Sequence, residues 1–257
     1  NSQANVLGAN SPEMSYAGAL TPHRIIAFGS YRKEYLKNFA TTVGFTYEGR
    51  SGNNFSYLYN GDVNSDGNGV TDLIYIPRNQ NEIVLTTSSA TDTRTLDQIW
   101  TELNNYIEQD DYLRSRRGQY AERNGAIAPW VHRLNFSLLQ DFYFDVKGKR
   151  NTLQLSANLE NALNLFDSGA GLTKFAARTN LIRFIGYEQP HTAGSLAQPV
   201  ANAGPTAGLG QPWSATTGRP VFAFDTNGDG TPLSESFIPD QTVGGRWQVQ
   251  FGIRYIF

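Results

Sequence analysis

The sequence contains no cysteine, one methionine and three histidines among its 257 residues. Without cysteine, disulfides, thiolate zinc sites and a cysteine nucleophile are all excluded. The histidines are widely separated, and no G-x-S-x-G motif or phosphate-binding loop occurs. No catalytic constellation emerges, and a glycosidase has only scattered carboxylates in its favour. We therefore predict that the protein is not an enzyme.

Neither a strong charge bias nor a long hydrophobic run is present. The net charge of -2 gives no reason to expect a nucleic-acid partner. The mean hydropathy is -0.42, and the lack of any run of about 18 apolar residues excludes a transmembrane helix. A transmembrane β-barrel stays compatible with these values, because its strands alternate and its loops are polar. The chain begins at Asn1 without a signal-peptide pattern, so we expect an export signal upstream.

Aromatic residues are abundant, with 13 tyrosines and 15 phenylalanines, and they follow an alternating pattern. From Arg246 to Phe257 every second residue is apolar, and the residues between are polar except for Ile256. Such alternation predicts a strand with one apolar and one polar face. Ten steps of about 3.3 Å, tilted by about 40°, span roughly 25 Å, the height of an outer-membrane apolar band.

Similar patterns predict further long strands, which together with the last one span about 23–35, 39–50, 132–144, 151–165 and 246–257. A soluble sheet with one solvated face would alternate too. Lengths of about 11 residues and aromatic ends favour membrane strands, since ordinary strands have about 5–6 residues. We predict an all-β fold, an antiparallel transmembrane β-barrel whose remaining strands come from upstream sequence or another chain, because five strands cannot close a barrel.

The connections between these strands alternate in length. Two are short, around residues 34–38 and 145–150, and two are long, at about 51–130 and 164–245. This is the outer-membrane pattern, with short periplasmic turns, long extracellular loops and a periplasmic C-terminus. In the long loops we predict an amphipathic helix over Thr95–Glu108, packed on the loop or binding a partner. We also predict a hairpin of Asn180–Tyr187 with Arg219–Phe224, and a flexible insert at 189–218.

Several segments resemble a known family. The terminal strand Arg246–Phe257 and the segment Asn158–Phe166 (NLENALNLF) resemble the last strand and the N-x-x-N-L-F signature of TonB-dependent outer-membrane receptors. Other stretches resemble the Oar-like branch found in Bacteroidetes, namely Ser30–Tyr35, Tyr47–Gly52, Asp72–Pro77 and Tyr120–Gly125 leading to Pro129 and Trp130. The similarity covers most of the chain in the right order and is weakest at 189–218.

This resemblance implies that the chain is the C-terminal part of a 22-stranded barrel in the outer membrane. It also implies a plug domain and energy from the TonB system. Neither a plug domain nor a TonB box is present in this sequence, so we expect the plug to come from the same or another chain. A surface lipoprotein is a further candidate partner. The terminal strand resembles the signal read by the barrel-assembly machinery, with Trp247, Phe251, Tyr255 and Phe257 as candidate signal residues.

Two Asp/Asn loops are candidate Ca²⁺ sites, because alternating oxygen ligands on a glycine-permitted turn suit this ion. Both lack the glutamate at position 12 that the EF-hand formula requires, so the alternative for each is a surface turn whose side chains bond their own backbone. The candidate ligands are Asp62, Asn64, Asp66, Asn68 and Asp72 in the first loop, and Asp225, Asn227, Asp229, Thr231 and Glu235 in the second.

Charges on the polar faces of the strands are expected to face a wet barrel interior. There they either pair with each other and with the plug or contact solute directly. The candidates are Glu48, Arg50, Arg133, Asp141, Glu160, Arg246 and Arg254, with Arg24 beside them. The predicted function is TonB-energised passage of a solute across the outer membrane. The alternative is a surface-exposed, calcium-stabilised binding or adhesion module.

Overall fold

Strands dominate the computed structural model, which describes residues 4–6, 14–18, 20–64, 66–188, 199–200 and 219–257. The predicted all-β class is confirmed. In chain order, the strands of these residues are β1 (Arg24–Tyr35), β2 (Phe39–Arg50), β3 (Asn54–Phe55), β4 (Leu58–Asn60), β5 (Tyr75–Ile76), β6 (Val84–Thr86), β7 (Gln119–Tyr120), β8 (Ala126–Ile127), β9 (Val131–Val146), β10 (Lys149–Glu160), β11 (Lys174–Ala176), β12 (Asn180–Glu188), β13 (Pro199–Val200), β14 (Pro220–Ala223), β15 (Phe237–Pro239) and β16 (Gln248–Ile256).

Helices are few. They are α1 (Leu96–Gln109), α2 (Asp111–Ser115) and α3 (Leu163–Phe166), with 3-10 turns at Gln80–Glu82 and Val243–Gly245. Among the helices of the described residues, none has the length and apolar character needed to cross a membrane. The predicted insert at 189–218 lies outside the described residues, apart from the two that form β13.

The chain divides into two compact units. The sheet unit comprises Thr21–Gly52, Ala128–Phe175 and Pro239–Phe257, and the insert unit comprises Asn1–Leu20, Asn53–Ile127 and Ala176–Ile238. The long connections predicted from the sequence therefore carry most of the insert unit.

The sheet unit is built on a five-stranded antiparallel meander in the order β1-β2-β9-β10-β16. Each strand lies where the alternating patterns predict one, but the predicted strand at 151–165 is too long. β10 ends at Glu160, Asn161 takes a left-handed φ of 48°, and Leu163 and Leu165 lie in the helical turn α3. Asparagine tolerates this conformation better than other non-glycine residues.

Short turns join the strands at one end of the sheet. Lys147 and Gly148 both have positive φ, 53° and 77°, which is the backbone that a two-residue hairpin requires. Leu36 and Lys37 also have positive φ, an unusual conformation for side chains with a Cβ. Because the strands are antiparallel, both long connections leave from the opposite end of the sheet.

The insert unit has a conventional buried core. Helix α1 begins with a capping box in which the Thr95 side chain accepts from Gln98 and the Gln98 side chain accepts from Thr95. Its buried residues Ile99, Leu103, Tyr106 and Ile107 belong to the main hydrophobic cluster. The helix predicted over 95–108 is thus confirmed, although Leu96, placed on the apolar stripe, is half exposed.

The sheet of the insert unit runs in the order β13-β12-β14-β6, with β4 paired to β12. β12 and β14 are antiparallel, as the predicted hairpin of 180–187 with 219–224 requires. A buried hydrogen bond joins Tyr57 to Asp110, with its Oη 2.7 Å from the Oδ2 of the carboxylate. The other oxygen of Asp110 caps α2 by accepting from the Leu113 amide at 2.9 Å.

Candidate functional site

One face of the meander is apolar and exposed. Cross-strand partners share a face, and the register places Val43, Leu138, Ala157 and Phe251 in one row across four strands. The next row is Phe45, Phe136, Leu159 and Val249. Phe251 is 79 % exposed and its neighbour Ile253 is 78 % exposed. An exposed apolar area this continuous is typical of an interaction surface for a membrane or another protein.

Aromatic side chains collect at both ends of this apolar face. At the end with the short turns, Tyr35 stacks on Phe39, Phe39 meets Phe142 edge-on, and Tyr255 stacks between Phe144 and Phe257. At the other end, a row of stacked rings comprises His23, Trp130, His132 and Tyr47. Tyr and Trp rings suit a boundary where one side is apolar and the other wet.

The opposite face of the meander is polar and hydrogen-bonded. Asp141 is almost fully buried and accepts from Arg32 at 3.0 Å, from Gln154 at 2.7 Å and from the Tyr143 hydroxyl at 3.2 Å. Arg32 also donates to the Tyr143 hydroxyl. These residues come from three strands, so the network ties the strands together across the polar face. The alternating pattern predicted Asp141 on this face, but not its burial or its partners.

The other predicted interior charges divide into two groups. Glu48 pairs with Arg24 at 2.9 Å, Arg133 donates to the Gly171 carbonyl at 3.0 Å and Arg50 to the Thr173 hydroxyl at 3.4 Å. Glu48, Arg133 and Arg50, like Asp141, therefore form contacts with other residues of the sheet unit. By contrast, Glu160, Arg246 and Arg254 are exposed.

Two asparagines after β10 fasten the start of one long connection to its end. The Asn161 amide group donates to the Gly245 carbonyl at 2.7 Å, and its own backbone N–H donates to Asn135 at 2.8 Å. The side-chain oxygen of Asn164 accepts from the backbone N–H of Trp247 at 3.2 Å. Its side-chain nitrogen donates to the backbone carbonyls of Ser168 and Ala170. The Asn-rich segment therefore closes the base of this connection.

We expect Asn164→Ala to loosen that closure. The change leaves the Trp247 N–H and two carbonyls without their partner, which costs about 1–3 kcal/mol when such groups are buried. Amide hydrogen exchange at Trp247 should accelerate, whereas Asn158→Ala on the polar face of β10 serves as a control that should leave it unchanged. Equal exchange in the wild type and the Asn164 variant would contradict this role.

The first Asp/Asn loop brings three carboxylates together. One carboxylate oxygen from each of Asp62, Asp66 and Asp72 lies within 4.8 Å of the other two. The Asp62 carboxylate accepts from the N–H groups of Asp66 and Gly67, at 3.1 and 2.8 Å. Asn64 accepts from the Asp66 N–H at 3.0 Å, and the Asn68 side chain accepts from Val70 at 3.3 Å. Several side chains that carry oxygen ligands thus lie close together in one turn.

Asp72 is the buried member of this cluster. It is 0 % exposed, and its Oδ2 accepts from Val63 at 2.6 Å and Asn64 at 3.0 Å. Burial raises the pKa of its carboxyl to about 6, against the lowering effect of those two N–H groups. The sequence placed Asp72 at position 11 of the loop. Position 12, where the EF-hand formula has a glutamate, holds Leu73, whose side chain lies in the core. The carboxylate at this end of the loop is therefore that of the preceding residue, Asp72.

The second Asp/Asn loop does not bring its carboxylates together, and its side chains make other contacts. Asp225 forms an ion pair with Arg183 at 2.9 Å. Asp229 accepts from the N–H and hydroxyl of Thr231 at 3.0 and 2.7 Å, Asn227 donates to that hydroxyl at 3.0 Å, and Glu235 is exposed. No three-carboxylate cluster forms here among the described residues. These hydrogen bonds are of the kind expected for the alternative, a surface turn whose side chains bond their own backbone, and Ca²⁺ binding here stays a prediction.

The candidate signal residues at the C-terminus lie along the apolar edge of the sheet. Phe251 and Tyr255 stand opposite Ala157 and Leu153 in the β10–β16 register, and Phe257 is 92 % exposed. Trp247 precedes the strand, so the predicted start at 246 is two residues early. The Tyr255 hydroxyl donates to Asn151 at 2.6 Å, which anchors one of these rings.

The insert unit also contains an aromatic cleft of about 370 Å³ that sequence reasoning missed. It is lined in part by Tyr59, Tyr75, Tyr120, Glu82 and Phe222. Tyr59 stacks on Phe222, and the Tyr75 hydroxyl donates to Glu82 at 3.0 Å. No sequence signal could have found it, because its walls come from segments far apart in the chain.

Comparisons of this chain with protein-family models, with curated proteins and with solved structures found no match.

Proposed function

We propose that this chain forms part of the wall of a bacterial outer-membrane β-barrel that moves a solute across the membrane with energy supplied by the TonB system. The observation that carries the proposal is the long-stranded meander with one exposed apolar face and one hydrogen-bonded polar face. A sheet in this setting turns its apolar face to lipid and its polar face to the barrel interior.

The aromatic rings at the two ends of the apolar face support this proposal. Barrels in the outer membrane carry aromatic girdles at both interfaces of an apolar band about 25 Å tall. His132 and Phe144 lie 12 steps apart on β9, which corresponds to about 40 Å along the strand or about 30 Å when the strand is tilted by about 40°. The two groups of rings are therefore spaced to flank such a band.

The open edges of the sheet support a larger barrel. Within the described residues, β1 and β16 each pair on one side only. In hydrocarbon, each unsatisfied backbone group costs several kcal/mol, so spanning sheets close on themselves. We propose that strands from upstream sequence or another chain pair with both edges and complete a barrel, of 22 strands by the family resemblance, with a plug inside.

The lengths of the connections support one orientation. Both short turns lie at the same end of the sheet as Phe257, and both long connections leave from the other end. Outer-membrane barrels have short periplasmic turns and longer extracellular loops. We therefore propose a periplasmic C-terminus and extracellular long connections, in a transporter rather than an enzyme.

Membrane extraction tests this proposal. The protein, expressed from its full-length gene, should fractionate with outer membranes and require detergent for release. A full-length product that stays soluble without detergent would contradict the barrel and would favour a surface-exposed binding module instead. Deletion of Phe257 should lower the amount of assembled barrel in the membrane, and unchanged levels would count against its role as an assembly signal.

A further inference from the structure

The strongest unexplained feature of the insert unit is the acidic turn between Gly61 and Leu73. Three carboxylates whose oxygens lie within 4.8 Å of one another repel strongly when all are ionised. No lysine or arginine pairs with Asp62 or Asp72 among the ion pairs of the described residues. A cation held between the three carboxylates would offset this repulsion.

Asp72 gives an independent indication of a ligand. Its side chain is 0 % exposed and reaches the cluster, yet its Oδ1 has no hydrogen-bond partner in the described part of the chain. A buried carboxylate oxygen without a donor is costly, and such groups are almost always satisfied in folded proteins. A cation bound at the three carboxylates and contacted by this oxygen would supply the missing interaction.

The chemistry of the turn selects the type of cation. All three carboxylates, and the amides of Asn64 and Asn68 beside them, offer oxygen ligands, which suit hard cations rather than zinc or copper. Oxygens within 4.8 Å of one another are close enough to share one Ca²⁺, whose bonds to oxygen are about 2.3–2.6 Å long. Three carboxylates on one loop favour Ca²⁺ over Mg²⁺, which keeps several waters and usually binds one or two carboxylates.

We propose that the turn from Asp62 to Asp72 binds one Ca²⁺ ion through the carboxylates of Asp62, Asp66 and Asp72. Gly61 and Gly67 have φ of 125° and 87°, backbone conformations that let the chain wrap closely around an ion. The carboxylate at position 11 replaces the glutamate at position 12 of the EF-hand formula, because position 12 is needed for the core.

The ion also fixes the segment around Asn5 to this turn. The Asn5 N–H donates to the Thr71 carbonyl at 2.9 Å, and the Leu73 N–H donates to the Asn5 carbonyl at 2.8 Å. Asn5 is therefore hydrogen-bonded to the residues on both sides of Asp72. The Asn64 side chain donates to the Asn5 side chain at 3.2 Å. Ca²⁺ that immobilises Asp72 and the turn at Asn64 therefore also stabilises the hydrogen bonds to Asn5.

Calcium titration of the full-length protein in detergent, after removal of divalent ions with a chelator, tests the site. Calorimetry should show one Ca²⁺ bound at this turn with a dissociation constant of about 1 mM or tighter, the range of extracellular modules. Asp66 is exposed, so Asp66→Asn should fold normally and bind Ca²⁺ at least about tenfold more weakly. Asp229→Asn, in the second loop, is the matched control and should bind as the wild type does.

Hydrogen exchange supplies a second readout on the same samples. Ca²⁺ should slow exchange of the Asn5 and Leu73 amides in the wild type and in Asp229→Asn, but not in Asp66→Asn. Absence of any Ca²⁺-dependent heat or protection in the wild type, or equal binding by Asp66→Asn and the wild type, would overturn the proposal. Neither result depends on whether the sheet unit lies in a membrane.

Discussion

Replacing Leu138 with lysine is expected to destabilise the protein in a phospholipid bilayer, lowering its free energy of unfolding by about 2–4 kcal/mol. This is the cost of a cation on the lipid face at the bilayer midplane. Leu138 lies at the middle of β9 and on the apolar face between Val43 and Ala157. It is 44 % exposed, so a lysine there meets little steric conflict from the chain itself. The predicted cost thus comes from transfer of the charge into hydrocarbon.

The matched control is Asn158→Lys. Asn158 adjoins Ala157, the partner of Leu138, but points to the polar face, where a new charge can stay hydrated. Asn158 is half-buried, and we expect a change within about 0.5 kcal/mol there, as for most surface substitutions. The folding free energies of both variants can be measured by denaturant titration in vesicles. Similar values for the two would contradict the assignment of the faces.

Leu103→Ala is expected to destabilise the insert unit by about 2–5 kcal/mol, the usual range for truncating a buried leucine. Leu103 is 0 % exposed and belongs to the core cluster together with Ile99 and Tyr106 of the same helix. The cavity left by the leucine cannot be filled without moving those neighbours. Native-state hydrogen exchange of the α1 amides should report the loss, because it measures the stability of one unit without requiring two-state unfolding of the whole chain.

Leu96→Ala on the same helix is the control. Leu96 is half exposed, so its truncation should change α1 protection by less than about 1 kcal/mol. This pair of variants also tests whether the apolar stripe of the helix packs on its own loop or binds a partner, the two alternatives left open by the sequence. Equal effects at positions 96 and 103 would contradict internal packing of the stripe.

Most of the meander could be predicted from the sequence because its strands alternate with a period of two. A one-residue error in such a strand exchanges its faces, so the apolar and polar sets at 246–257 were unambiguous. The apolar spacing over 95–108 and the short connection at 145–150 were equally local signals. The end of β10 was predicted wrongly because Leu163 and Leu165 continue the alternation beyond Asn161, where the backbone already turns.

The candidate sites were only partly predictable, because side-chain partners are set by tertiary contacts. The spacing of the first Asp/Asn loop correctly brought Asp62, Asp66 and Asp72 together, but gave no sign that Asp72 is buried. Among the described residues the same spacing does not bring three carboxylates together in the second loop, where Arg183, 42 positions away, pairs with Asp225. Nothing near Asn5 indicated that it would bracket the first loop.

Solvent exposure along β16 in a lipid bilayer tests the central claim most directly. Since the chain has no cysteine, single cysteines at positions 249 to 255 can each carry an environment-sensitive fluorophore without background labelling. We predict that labels at 249, 251, 253 and 255 are quenched by lipid-borne quenchers and that labels at 250, 252 and 254 are quenched by water-soluble ones. Labels at the odd positions that are shielded from lipid, or a profile without this alternation, would contradict the membrane wall.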